Sequence, residues 1–131
     1  MIGLDTNVLV RFFALDDPLQ HSRTEKFIRS LSSVEPGWVS LPVLMELLWV
    51  MGSVYRFDRA GTITILDQLL SRQEIVVEQS ETVYKALQLF ISGNVDFPDC
   101  LIAASAKAAG CTRTVTFDRR AARETGMQLP G

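Results

Sequence analysis

The sequence predicts an α/β fold built on a central parallel β-sheet of four to five strands flanked by helices. Two observations carry that prediction. Short, largely apolar runs recur at Met1–Leu4, Trp38–Leu41, Glu74–Val77 and Thr114–Phe117, with Met127–Leu129 as a candidate edge strand. Between the first four lie pairs of segments with helical periodicity, the alternation that produces parallel sheets covered by helices.

At 131 residues the chain is long enough for a conventional core without staples, and it reads as a single domain over residues 1–131. Its 47% hydrophobic content and mean hydropathy of +0.17 fit a sheet covered on both faces or a surface buried in a partner. No transmembrane run or signal peptide is visible, so a cytoplasmic location and no membrane partner are expected. Cys100 and Cys111 lack any metal-ligand spacing and read as buried free thiols. The net charge of −2 is unevenly spread: eight basic against thirteen acidic residues in the first hundred, then five against two from Leu101 onward. That locally basic end is compatible with phosphate binding, although Arg on a terminal helix is more often a solvated face.

The first strand ends at Asp5, and Val8–Ala14 reads as a helix. Ligands of open parallel sheets bind outside the strands' C-terminal ends, so an acid there is either a helix cap or a site residue. Asp17 caps a second helix through about Leu31, with Pro18 at its first position. His21 is the only histidine and reads as an ordinary surface residue, which excludes His-based triads. After a loop from Ser32 to Gly37 and the second strand, Pro42 opens a helix through Met51. Within it, Glu46 is anomalous. Its neighbours one turn away, Pro42, Val43, Trp49 and Val50, are all apolar. A buried unpaired carboxylate is costly, so Glu46 must reach water, a cation or a partner's positive charge.

A helix from Asp58 to about Ser71 carries Ile63, Leu66, Leu69 and Leu70 for the core. Another, from Gln79 to about Ser92, has Val83, Ala86, Leu87, Phe90 and Ile91 on its apolar face and stops at Ser92-Gly93-Asn94. Asp96-Phe97-Pro98-Asp99 starts a helix of small residues, and by themselves Asp96 and Asp99 resemble a structural capping pair. Asp118-Arg119-Arg120 begins the last helix.

Right-handed crossovers place the strands' C-terminal ends on one edge, so Asp5 and Asp118 are expected to face one crevice together with Asp99 and Glu46. Several carboxylates without interleaved bases repel each other and call for a cation. Oxygen-only ligands select a hard divalent ion, Mg²⁺ or Mn²⁺, rather than zinc or copper. Such an ion, or two about 4 Å apart, suits hydrolysis of a nucleic-acid phosphodiester.

Four segments then carry a family resemblance: Met1-Ile2-Gly3-Leu4-Asp5-Thr6-Asn7-Val8-Leu9, the helix acid Glu46, Asp96-Phe97-Pro98-Asp99-Cys100-Leu101-Ile102-Ala103-Ala104, and Thr116-Phe117-Asp118-Arg119. In order, spacing and context they resemble the four motifs of PIN-domain ribonucleases, most of all the VapC-type toxins of bacterial toxin–antitoxin pairs. The resemblance implies a three-layer PIN-like fold and a Mg²⁺- or Mn²⁺-dependent endoribonuclease acting on RNA. It further implies a homodimer held inactive by a cognate antitoxin whose C-terminal segment lies across the active site. By position, Asp5, Glu46 and Asp99 match the core acids, Asp118 the more variable fourth, and Asp96 a secondary metal ligand. Thr6 and Asn7 match residues that support the first acid. Pro98 and Cys100 depart from the small residues more usual around the third acid. Arg119, Arg120 and Arg123 are candidates for phosphate contact.

Three rivals are weighed against this reading. A PIN-like domain that binds RNA or protein without cutting is disfavoured by an intact acid set, since buried acids are costly to retain. A housekeeping RNA-processing nuclease would carry the same motifs. A phosphatase with an aspartyl nucleophile would want a second Asp two residues after Asp5, where Asn7 stands.

Overall fold

The computed structural model describes residues 1–131. In chain order its elements are β1 (Ile2–Gly3), α1 (Thr6–Phe13), α2 (Pro18–Ser30), β2 (Gly37–Val39), α3 (Leu41–Ser53), α4 (Arg59–Ser71), β3 (Ile75–Val77), α5 (Ser80–Ser92), α6 (Phe97–Ala108) and α7 (Arg119–Thr125). The α/β class with a parallel sheet and flanking helices is as the sequence predicts. The chain folds as two compact units, Met1–Glu78 and Gln79–Gly131. No helix is long and apolar enough to cross a membrane.

The first unit holds the sheet, three parallel strands in the order β1-β2-β3. Ile2 lies opposite Gly37, and Gly37, Trp38 and Val39 lie opposite Ile75, Val76 and Val77. Both crossovers step the same way across the sheet, so right-handedness puts their helices on one face, and α1 packs on both α2 and α3. Leu9, Leu44, Leu47, Ile65 and Leu66 are fully buried there. Gly37 permits the close approach of β2: a Cβ would stand 2.8 Å from Leu4 Cδ1 and 3.0 Å from Leu31 Cδ1. The starts of α2, α3 and α4 are held by side-chain caps. Asp17 Oδ1 accepts from Gln20 N at 3.0 Å, Ser40 Oγ from Val43 N at 3.2 Å and Asp58 Oδ1 from Gly61 N at 2.8 Å. Glu78 Oε1 also accepts from Leu41 N at 2.8 Å, tying the end of β3 to the helix that bears Glu46.

In the second unit α5 packs along α6, and α6 packs on α7. Val83, Ala86, Leu87 and Phe90 are buried, as are Phe97, Cys100, Leu101 and Ala104. The Phe90 and Phe97 rings meet edge to face, their centroids 5.8 Å apart at 87°. Gly126 ends α7 in the left-handed region at φ 83°, a conformation that glycine adopts without a Cβ penalty.

Three expectations need correction. The sheet has three strands, not four or five. The segments around Thr114–Phe117 and Met127–Leu129 pair only with each other, through one parallel bridge between Val115 and Gln128. Val115 is exposed and Phe117 is 87% exposed, so little apolar burial rewards a longer ladder. Nor are the strands buried on both faces throughout: Ile75 and Val77 are buried, while Val76 between them is exposed. Of the two thiols only Cys100 is buried; Cys111 is exposed just beyond α6.

Candidate active site

Asp5 answers the question of cap or site by being able to serve as both. It occupies the N-cap of α1 with an extended backbone, and its Oδ1 accepts from Thr6 N at 2.8 Å. One carboxylate oxygen is thereby oriented by the helix terminus, and the residue as a whole is exposed. Thr6 is buried, and its observed contact to Asp5 is through the backbone N–H. Asn7 is exposed on the same first turn and faces a hollow between α1 and α2.

Glu46 is exposed on α3. The cost of burial inferred from its apolar neighbours is therefore not incurred: the face it shares is itself open, with Trp49 67% exposed one turn on. The case against a non-cutting domain that rested on buried acids loses its force for the same reason. Asp5, Glu46, Asp96 and Asp118 all reach the surface, and Asp99 alone is half-buried.

In the second unit the structure brings three of the expected acids together. Asp96, Asp99 and Asp118 line one cavity of about 180 Å³ with Val95 and Arg120. Asp96 is the N-cap residue of α6, yet its side chain makes no capping hydrogen bond; its carbonyl accepts from Asp99 N at 3.2 Å and Cys100 N at 3.4 Å. The capping-pair reading of Asp96 and Asp99 is thus overturned, because Pro98 and the extended backbone at Asp96 begin the helix without either carboxylate. Asp118 does cap: its Oδ1 accepts from Arg120 N at 2.9 Å and Ala121 N at 3.0 Å. Burial pushes the Asp99 carboxyl above the usual range, and the nearby charges of Asp118 and Asp96 push it the same way.

The donor set suits a hard divalent cation. All donors are carboxylate oxygens, and the ion that would relieve the repulsion at Asp99 is a positive one. The side chains do not form a closed group of three metal ligands. Magnesium characteristically keeps several waters and takes only one or two carboxylates, so an open hollow of this kind fits it. Arg119, Arg120 and Arg123 are all exposed on α7, and Arg120 alone lines the acidic cavity.

The sequence reading missed a second feature, the side chains of α2 that face the Asn7 hollow. Its signal was present: Gln20, Arg23 and Thr24 put polar groups on the helix face turned toward α1, where packing alone would favour apolar ones. His21 is structural, its Nδ1 lying 2.9 Å from the Arg11 carbonyl oxygen.

Comparison with known proteins adds two findings. The family model described as PIN domain matches residues 2–126. A protein named VapC ribonuclease from Aquifex aeolicus (strain VF5) is 28% identical over 118 residues, covering 89% of this chain and 87% of its own length.

Proposed function

This chain belongs to the PIN-domain family, and from that premise we propose that it is a Mg²⁺- or Mn²⁺-dependent endoribonuclease, the toxin of a type II toxin–antitoxin pair neutralised by a cognate antitoxin. The similarity to a VapC ribonuclease supports the substrate class and the antitoxin partner. The observation that carries the chemistry is the hollow lined by Asp96, Asp99 and Asp118, in which burial first, and then the charges of Asp118 and Asp96, push the Asp99 carboxyl above its ordinary range. Two exposed carboxylates set beside a half-buried third are mutually repulsive unless a cation stands among them.

In this reading Asp5, Glu46, Asp99 and Asp118 are the catalytic acids, with Asp96 as a further ligand and residues 1–131 acting as one PIN domain. A bound divalent cation supplies charge neutralisation for the phosphodiester and acidifies the attacking water. Asp99 and Asp96 offer carboxylate oxygens free of capping bonds. Asp5 and Asp118 each offer one held in orientation by a helix terminus. Thr6 fixes the first acid through its amide. Arg120 stands beside the acids to meet a phosphate oxygen, with Arg119 and Arg123 along the same short helix. Action as a cytoplasmic homodimer belongs to the same reading, and exposed Leu15, Leu19 and Trp49 supply apolar surface for an interface.

The test is cleavage of a mixed structured RNA pool by antitoxin-free protein with Mg²⁺, Mn²⁺ or EDTA, beside Asp5→Asn and Asp99→Asn. Metal-dependent cutting lost in both variants is expected; full activity in either removes that acid from the mechanism. The second reading, a PIN domain that binds RNA without cutting, is favoured by one observation, since exposed carboxylates are retained at little cost. Metal-independent RNA binding with no cleavage under any condition would select it.

A further inference from the structure

We propose that the groove between α1 and α2 is the track that holds a single-stranded RNA segment, with Arg23 contacting a phosphate and Phe27 stacking on a base. The inference rests on the ribonuclease reading above and names where that substrate is gripped.

The groove is shallow and open to solvent, with a volume of about 340 Å³, at the low end of the range of about 300–1,000 Å³ common to small-ligand sites. From α1 it is lined by Asn7 and Arg11, spaced i and i+4, with Val8 between them. From α2 it is lined by Gln20, Arg23, Thr24 and Phe27, spaced i, i+3, i+4 and i+7. A seam between consecutive helices is ordinarily filled with apolar side chains. Here five of the seven lining residues are polar, although Val8 and Phe27 keep much of the wall apolar, and α2 buries only Ile28 along its whole length. The helix is held against α1 without closing the space between them.

Charge indicates what the space is for. Two guanidinium groups line the groove and no carboxylate does, although the first hundred residues carry an excess of acids. A cationic furrow in an otherwise anionic stretch complements a phosphate backbone. Arg11 is held in place: its Nη1 donates to Asp16 Oδ1 at 2.9 Å, and Tyr55 donates its hydroxyl to Asp16 Oδ2 at 2.9 Å. Arg23 is exposed, with no such partner.

Phe27, 39% exposed, lies one turn beyond Arg23 on the same face. An aromatic surface one helical turn from a guanidinium is the pairing by which single strands are held, the base stacked and the phosphate neutralised. Gln20, Thr24 and Asn7 add neutral donors and acceptors able to meet base edges and the ribose 2′-hydroxyl. Asn7 stands on the first turn of α1, two residues after Asp5, so a strand in this groove arrives at the helix terminus that orients the first acid.

Fluorescence anisotropy with a labelled mixed-sequence RNA of about 12 nucleotides, in EDTA, reads binding apart from cutting. Arg23→Glu should weaken binding by about tenfold or more, Arg23→Ala by less, and both should reduce the salt slope by about 0.7. Phe27→Ala should weaken it by about 5- to 100-fold with the salt slope kept, and Phe27→Tyr should restore it. Unchanged thermal unfolding would show that the exposed substitutions leave the fold intact. If wild type binds and cuts RNA while these variants match it in affinity and slope, the groove is not the track and the nuclease reading stands. Loss of binding to an acidic peptide, with RNA affinity intact, would overturn the inference in favour of a protein occupant. Wild-type protein that neither binds nor cuts RNA would overturn the ribonuclease reading, and the track with it.

Discussion

Replacing Phe97 with alanine tests how the second unit positions its acids. Phe97 is the first residue of α6, directly after Asp96 and two before Asp99, and it is 3% exposed. Truncating a fully packed phenylalanine costs about 3–5 kcal/mol in lost transfer energy and residual cavity. Of that, about 0.5–1.5 kcal/mol belongs to the edge-to-face contact with Phe90. Against a total stability of about 5–15 kcal/mol, the variant should fold but with a narrow margin. For a chain of 131 residues that loss corresponds to a fall in melting temperature of roughly 10–20 °C. Urea unfolding followed by circular dichroism measures the cost. A double-mutant cycle with Phe90→Leu isolates the ring pair, with an expected coupling of about 0.5–1.5 kcal/mol. Cleavage assayed well below the melting point should also drop, because the first turn of α6 loses the anchor that holds Asp96 and Asp99 over the cavity. A cost below about 1 kcal/mol, with cleavage unchanged, would refute the claim that this ring fixes the acidic turn.

Asp118 caps α7, and the proposed function gives it a second, separable role at the acidic site. Asp118→Asn should keep the α7 cap and the melting temperature while reducing cleavage, whereas Asp118→Ala should lose about 1 kcal/mol as well; equal stability in both would deny the cap its role. Titrating Mg²⁺ or Mn²⁺ should raise the melting temperature of wild type, and EDTA should reverse the rise. Asp99→Asn should blunt that response; an undiminished response would place the cation elsewhere. Gly37→Ala should destabilise by about 1–3 kcal/mol, because the added methyl meets the Leu4 and Leu31 side chains; a neutral outcome in thermal unfolding would show that those leucines move freely. The Tyr55 hydroxyl bond, with Arg11 beside it, holds the Asp16 carboxyl below the usual range. Its folded pKa is lower than its unfolded one, so its contribution is present above the unfolded value and lost as pH falls through the folded one. The difference in melting temperature between wild type and Asp16→Asn should therefore close on acidification, and a gap that widens would reverse the sign.

The features legible from sequence were those set by neighbours in the chain. Asp17 followed by Pro18, Asp58 ahead of its helix and the apolar face from Val83 to Phe90 each declared a helix through local hydrogen bonding or periodicity, and the structure has all three. The α/β alternation followed from the same signals, and three of the four short motifs sit at element boundaries, with Glu46 inside α3. What the sequence could not weigh was burial, which depends on which faces meet. Apolar neighbours implied that Glu46 was enclosed, but the face it shares with Trp49 is open to solvent. Thr114–Phe117 has the composition of a strand, yet with Phe117 left in solvent it forms one bridge. Asp96 and Asp99 have the spacing of caps. Only the packing of the second unit turns their carboxylates toward Asp118, and there the repulsion among them, invisible in any one motif, becomes a property of the site. Local order is written in short-range hydrogen bonds and periodicity, whereas desolvation and charge coupling arise only when distant segments are brought within a few ångströms of each other.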